Sequence, residues 1–157
     1  MAKISTNART IRELTQAELP QLFTLIHLHN PGITKAIFTK RLTEMVPCGY
    51  RAIGVFQGET MIACSGFWRR TRFWCGAELD IDNFIVHPDH RRKQLGPQML
   101  AWFEALAKKD KVDLIVLDTY AETFLAHRFY MREGFTLTGY HMTKRPGTRD
   151  PFVRSRP

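Results

Sequence analysis

Residues 77–117 constrain the fold more than any other part of the chain. In order they read as a long strand at about 77–86, a turn rich in cations, a helix from about Pro97 to Lys109, and an apolar strand at Val112–Leu117 whose one polar residue is Asp113. A crossover helix between two strands of one sheet makes those strands parallel, because a tight hairpin cannot join strands running the same way. The second strand lacks alternation, which predicts burial on both faces. The helix directs Met99, Trp102, Phe103 and Leu106 inward and ends in Lys108 and Lys109, cations that suit the negative end of its dipole.

The flanking segments extend this unit. A short strand at Thr10–Leu14 leads into Thr15-Gln16-Ala17-Glu18, which has capping-box spacing. Leu19, Leu22, Phe23 and Ile26 follow at helical spacing, with Pro20 about one turn in. Ile37, Phe38, Leu42 and Met45 mark a second helix that stops before Pro47. Residues 50–56 and 60–68 form a hairpin about Gln57-Gly58-Glu59, and a second hairpin through 69–75 enters the strand at 77–86. Residues 122–132 read as a helix closed by Gly134, and 135–143 as a last strand. The fold class is α/β: a central mixed sheet, antiparallel in its first half, flanked by helices on both sides.

The chain has 157 residues, 44% of them hydrophobic, which suits one well-cored domain over 1–143. Its net charge is +8, half of it in 144–157, where Lys144, Arg145, Arg149, Arg154 and Arg156 meet only Asp150 among several prolines. That segment reads as a basic, poorly ordered tail. A basic balance suits nucleic acid, an anionic surface or a phosphorylated small molecule equally well. No apolar run is long enough to span a membrane, and MAKISTNARTIREL lacks the apolar core of a secretory signal. Cys48, Cys64 and Cys75 form no CxxC pair and read as reduced thiols, so a cytoplasmic location without disulfide or zinc is expected.

The chemistry concentrates in IVHPDHRRKQLGPQML, residues 85–100. A strand ends, cations follow, and a helix opens at Gly96-Pro97. Pro97 fits a first turn, where an amide has no intrahelical partner, and the remaining free amides there favour an anion. Arg91, Arg92 and Lys93 flank the same spot. GxxxxGK[ST] and GxGxxG are both absent, so the expected cradle is neither a nucleotide P-loop nor a dinucleotide fingerprint. On spacing alone, a tight turn with solvated cations explains the stretch as well.

This stretch resembles the signature of the GNAT acetyltransferases: an apolar strand, a V-x-P-like end, then R/Q-x-x-G-x-G/A opening a helix. Val86-His87-Pro88 supplies the strand end and Arg91-Arg92-Lys93-Gln94-Leu95-Gly96 the loop, with Gln94 where the family usually has its first glycine. Downstream, Ala126-His127-Arg128-Phe129-Tyr130-Met131-Arg132-Glu133-Gly134-Phe135 resembles A-x-x-x-Y-x-x-x-G-F. Thr123 replaces the asparagine often found three residues before the alanine. The resemblance covers about residues 8–143.

It implies an N-acetyltransferase that moves acetyl from acetyl-coenzyme A to a primary amine by direct attack, the acceptor being a small molecule or a protein or peptide amine. By resemblance, main-chain amides of Arg91, Arg92, Lys93, Gln94, Leu95 and Gly96 hold the diphosphate. Phe84, Ile85 and Val86 pair with the pantetheine arm where the fourth strand splays from the fifth, and Thr123 and Ala126 complete the cofactor site. Tyr130 is placed to protonate the departing thiolate; its hydroxyl is a neutral donor at pH 7. An amine with a pKa of about 10.4 must lose a proton before it attacks. Alternation along the fourth strand turns Leu79 and Ile81 one way and Asp80, Asp82, Phe84 and Val86 the other, so both aspartates are candidate bases. Counted back from Arg91, Asp80 falls where histone acetyltransferases of the family carry a glutamate base, and its shorter side chain would work through a water. A bulge, frequent in this strand of the family, would swap the parity.

Other constellations are weaker. His87 and His90 lack further clustered ligands, so no metal is expected. No serine lies in GxSxG, against a serine hydrolase. Cys64 and Cys75 read as small packed hydrophobes. Phe67, Trp68, Phe73 and Trp74, interleaved with Arg69, Arg70 and Arg72, imitate a nucleic-acid stacking face but fit a sheet edge or an acceptor pocket better. Two alternatives stay open beside acetyl transfer: a basic nucleic-acid-binding module, and an acyl-coenzyme A binder without catalysis. A homodimer is left open as well.

Overall fold

A computed structural model of the chain describes residues 9–144 and 146–147. The leader reading of the first residues and most of the expected basic tail fall on 1–8, 145 and 148–157, outside the described residues. The chain divides into two compact units, one through Leu117 and one from Asp118.

The first unit is a five-stranded sheet in sequence order: β1 (Arg9–Glu13), β2 (Arg51–Gln57), β3 (Thr60–Arg72), β4 (Gly76–Val86) and β5 (Leu114–Leu117). The first three pairings are antiparallel and β4–β5 is parallel, as the crossover requires. The helices are α1 (Phe23–His29), α2 (Lys35–Met45) and α3 (Leu95–Lys109). Pro20 sits in a separate 3-10 turn, Leu19–Leu22, which delays α1 to Phe23. Glu18 does reach back, accepting from the Thr15 N–H and hydroxyl at 2.9 Å. The Thr34 hydroxyl caps α2 by accepting from the Ile37 N–H.

Both faces of the sheet are covered. On one, Leu22, Leu25, Ile26 and Phe38 pack with Tyr50, Ala52, Phe56, Cys64 and Ile85. On the other, the Phe67 ring meets Phe103 of α3 edge-on at 5.4 Å, both fully buried. Removing either ring would cost about 3–5 kcal/mol, the usual loss for a core aromatic.

Five sequence expectations change. β3 runs on to Arg72, so the turn of the second hairpin is Phe73–Cys75 rather than 69–75. α3 begins at Leu95, two residues before Pro97, because Gln94 supplies the first helical carbonyl, accepting from the Gln98 N–H. β5 is short and only half-buried, with Leu114 37% exposed, since it pairs within its unit only with β4. Residues 135–143 form no strand; Leu137, Tyr140 and Met142 are exposed, and no ladder partner fixes them among the described residues. The fifth change is a bulge in β4. Cys64 lies opposite Ile85 but Gly66 lies opposite Asp82, so Ser65 faces two residues, Asn83 and Phe84. Asn83 takes φ 48°, a left-handed angle that asparagine tolerates better than most. The extra residue reverses the alternation, so it is Ile85, not Phe84 and Val86, that shares the face of Asp82.

The second unit contains α4 (Phe124–Arg132). Gly134 closes it at φ 93°, and the Phe135 N–H donates back to the Tyr130 carbonyl at 2.9 Å.

Candidate active site

The bulge and the loop after β4 bring the candidate residues of the first unit together. β4 and β5 share rungs only from Glu78–Leu114 to Ile81–Leu117. Beyond Ile81, β4 keeps its β3 partner but has no β5 rung, and Phe84, Ile85 and Val86 lie in that stretch. The His87 N–H donates to the Ile62 carbonyl at 2.9 Å, on the β3 side. Alternation therefore turns the N–H and C=O of Val86 to the opposite edge. An extended amide chain can pair with such an edge as a strand would.

The chain then enters a one-turn 3-10 segment, Pro88–His90, and the stretch Arg91–Gln94. Arg92 and Gln94 both adopt left-handed backbone, at φ 58° and 63°. The special angle that a glycine would supply is thus kept by glutamine. Non-glycine residues in this region carry a strain of order 1–3 kcal/mol each, which persists where surrounding structure enforces it. Here Leu95 is buried and starts α3, the Lys93 ammonium donates to the Asp89 carbonyl at 2.8 Å, and Arg9 donates to the Lys93 carbonyl at 3.1 Å. Successive N–H groups around left-handed residues, ahead of a helix N-terminus, make a concave anion site. The Arg91, Arg92 and Lys93 side chains are exposed around it. Arg91 folds back so that its Nε donates to the Val86 carbonyl at 3.3 Å. Between the bulge and Arg91 lies a 170 Å³ depression lined by Leu28, His29, Ile85, Val86, Pro88 and Arg91.

Both aspartates lie on the face away from α3, opposite the buried Leu79 and Ile81, and both are half-buried. Asp80 is ion-paired to Arg70 at 3.1 Å, and Arg70 in turn lies over the Trp68 ring at 5.4 Å. One rung further out, Arg72 binds the fully buried Glu78 at 2.5 Å. The backbone of Asp82 is pinned: the buried Ser65 hydroxyl donates to its carbonyl at 3.1 Å. Two of the three cations of the aromatic hairpin are therefore neutralised within the sheet. Phe67 is core, Trp68 packs on Tyr50, and Phe73 and Trp74 are exposed at the turn. Cys64 is buried, whereas Cys75 is half-buried with its thiol 3.7 Å from a Glu78 oxygen, so it is not the packed hydrophobe expected.

In the second unit, Tyr130 sits between Phe129 and Phe135, with ring centroids at 5.0 and 5.6 Å. Burial pushes its hydroxyl up to about 12, so it stays protonated across the physiological range. Thr123 precedes α4; its hydroxyl donates to the Tyr120 carbonyl at 2.7 Å, and its own carbonyl accepts from the Ala126 N–H.

Sequence reasoning missed Tyr50, Gly66 and Ser65 as parts of these surroundings, and it placed Arg70 at the sheet edge or acceptor pocket without its partner Asp80. Asn83 within a strand was the available sign of the bulge, since strands disfavour asparagine and left-handed positions accept it.

The sequence profile of the Acetyltransferase (GNAT) family matches residues 11–135. An aminoalkylphosphonate N-acetyltransferase from Salmonella typhimurium is 37% identical over 71 residues, a match spanning 45% of this chain and 44% of that protein. Three solved structures share the fold. A transcriptional regulator from Bacillus halodurans has TM-score 0.75 at 21% identity, covering 88% of this chain and 99% of its own. Glucosamine-6-phosphate N-acetyltransferase from Arabidopsis thaliana has TM-score 0.68 at 20%, covering 88% and 99%. An aminoglycoside N-acetyltransferase in complex with CoA has TM-score 0.77 at 15%, covering 90% and 96%. With a parted fourth strand, a bulge and an amide-lined helix terminus in one connected stretch, and with four-fifths of its length matched by the family profile, the chain belongs to the acetyltransferase (GNAT) family.

Proposed function

We propose that the protein transfers acetyl from acetyl-coenzyme A to a primary amine, with residues 1–143 acting as one catalytic domain. The observation that carries this reading is the end of the β4–β5 ladder at Ile81, after which β4 runs on to Val86 and the chain reaches left-handed backbone at Gln94 and the start of α3. An acyl donor with an amide-bearing arm and a diphosphate matches that sequence of an extended edge followed by an anion site. The group fits the residues present. Phe84, Ile85 and Val86 would pair with the pantetheine arm, and the amides of Arg91, Arg92, Lys93, Gln94, Leu95 and Gly96 would hold the diphosphate; the family resemblance adds Thr123 and Ala126. Bound acetyl-coenzyme A supplies an activated thioester.

The chain's own groups do the rest. Asp82 accepts the proton that the ammonium must lose, while Asp80, tied to Arg70, acts through a water. Amides at the β4 bulge stabilise the charge that develops on the carbonyl oxygen. Tyr130 donates its proton to the departing thiolate, which its raised pKa permits at neutral pH. The acceptor we propose is a small amine. The acceptors in the names of the similar proteins, aminoalkylphosphonates, an amino sugar phosphate and aminoglycosides, set the first panel. Pairing of Arg70 with Asp80 and of Arg72 with Glu78 argues against the hairpin as a nucleic-acid surface.

The test is twofold. Acetyl-coenzyme A at about 100 times its Kd should add about 2.7 kcal/mol, a rise of roughly 5–11 °C in Tm for a chain near this size. A short oligonucleotide at the same salt should do much less. Thiol release over a panel of aminoalkylphosphonates, amino sugars, aminoglycosides and peptide N-termini then identifies the acceptor. Stabilisation by the oligonucleotide and not by acetyl-coenzyme A would refute the assignment.

A further inference from the structure

Tyr50 has no part in the chemistry so far, yet its placement is unusual. It follows Gly49, whose φ of 92° turns the chain out of α2, and its N–H donates to the Met45 carbonyl at 3.2 Å. The side chain is 4% exposed and its ring lies edge-on to Trp68 at 5.2 Å. From there the phenol crosses β3 at Gly66. A Cβ on Gly66 would strike the Tyr50 ring edge and its hydroxyl oxygen, so the absence of a side chain at 66 makes the slot the hydroxyl occupies. Gly66 is the residue directly opposite Asp82. Opposed residues of an antiparallel pair project to one face about 4.5–5.5 Å apart. The hydroxyl therefore stands where a cross-strand neighbour of the Asp82 carboxylate would stand. Ser65 fixes the Asp82 backbone from beneath.

We propose that the Tyr50 hydroxyl, which makes no hydrogen bond to Asp82 in the structure as it stands, donates one to the Asp82 carboxylate when the amine binds and so holds it as the proton acceptor. Tyr50 is thus a positioning residue: the proton leaves the ammonium for Asp82, and Tyr50 keeps its own. The inference rests on the acetyl-transfer reading above. Burial, and then the charge of Asp82, hold the phenol far above its ordinary range, so it remains a donor and never competes as a base. Among the described residues, β4 itself turns two more carboxylates to this face, Asp80 and the buried Glu78, the second ion-paired to Arg72. From β3 come Cys64, whose thiol burial pushes up to about 12, and Arg70, engaged with Asp80 of β4. From α1 comes His29, which lines the depression beside Ile85.

The test is the pH profile of kcat at saturating substrates, measured for wild type, Tyr50→Phe and Asp82→Asn, and repeated in a His29→Gln background. A donor to the ionised carboxylate lowers its pKa, and deleting the donor raises it. The acidic limb of Tyr50→Phe should therefore move to higher pH by about one unit, in both backgrounds, with little change in Tm because the ring is kept. Asp82→Asn should lose at least about 100-fold in kcat, the lower figure for a positioned base. An acidic limb that stays in place in Tyr50→Phe, while Asp82→Asn is inactive, overturns the role of Tyr50 alone. Wild-type turnover in Asp82→Asn overturns the base and Tyr50 with it. A limb shift that vanishes in the His29→Gln background also overturns the proposal, by moving the titration to that histidine.

Discussion

Position 94 offers a measurement in which one physical quantity is varied nearly alone. The Gln94 side chain is exposed and makes no capping hydrogen bond, so a substitution there touches little beyond the backbone, at φ 63° and ψ 14°. For a residue with a Cβ, left-handed backbone costs about 1–2 kcal/mol. Glycine removes that cost but adds unfolded-state freedom worth about 0.4–1 kcal/mol in the other direction. The net for Gln94→Gly is a gain of about 0.5–1 kcal/mol, or roughly 1–4 °C in Tm at about 2–4 °C per kcal/mol. Gln94→Asn should fall between wild type and glycine, because asparagine tolerates this region. Gln94→Val, β-branched, should lose at least as much as glycine gains. The ranking Gly, Asn, Gln, Val, read by thermal melts of all four, is the result expected. Acetyl-coenzyme A affinity should hold in the glycine variant, since the amide donor at 94 is kept. A glycine variant that melts below wild type, or a valine variant that melts above it, would refute the argument that this turn demands the left-handed angle.

Three further outcomes follow from the same surroundings. Arg91→Glu should weaken acetyl-coenzyme A binding by a factor that shrinks with added salt, while Lys108→Glu, about 20 Å away at the other end of α3, should leave it unchanged; titrations at two ionic strengths check both. Tyr130→Phe should lower turnover at least about 100-fold with no more than about 1 kcal/mol lost in stability, and full activity on a verified acceptor would show that another group is the acid. The Glu18 carboxyl is held down at about 2, by Arg12 first and then by the Thr15 N–H and hydroxyl. Its contribution is therefore present above the unfolded carboxylate range and lost as pH falls from about 4.5 towards 2, so Glu18→Gln should flatten the Tm-against-pH curve across that window.

What the sequence made legible was local in origin. The parallel β4–β5 pair followed from a helix standing between two strands, and the hairpins followed from turn residues and alternation. The Thr15–Glu18 contact and the α2 stop before Pro47 likewise depend on residues a few positions apart. The site was legible only so far as resemblance carried it. Alternation counted straight through Asn83 and so put Phe84 and Val86 on the face that Ile85 takes; the asparagine hinted at a bulge, but the register that fixes it belongs to the partner strand. The Arg70–Asp80 pair and the Tyr50–Gly66 slot join residues from different strands, and no periodicity within either segment encodes them. The missing strand at 135–143 has the same cause: alternation marks a segment fit to pair, while pairing needs an edge to receive it.

The distribution of strain ties these points to function. Among the described residues, four that are not glycine take positive φ: Asn83, Arg92, Gln94 and Lys111. Three of the four fall within the twelve residues from the β4 bulge to the start of α3. At ordinary turns the chain uses glycine for the same angle, as at Gly49, Gly58 and Gly76. A turn that merely reverses direction gains nothing by keeping a strained side chain. Where strain is retained in one short stretch, the surrounding structure must enforce it, and such stretches concentrate at sites that bind or react. Here the enforcement is visible: Ser65 holds the bulge, Arg9 and Lys93 tie the turn, and buried Leu95 anchors the helix that follows. The same stretch contains the part of β4 beyond its β5 rungs and the amides that the proposed acyl donor requires. Substitutions that relax it without removing a donor, Gln94→Gly foremost, should raise stability and spare binding, whereas charge changes beside it should do the reverse. That opposition distinguishes a built site from a surface turn that happens to be basic.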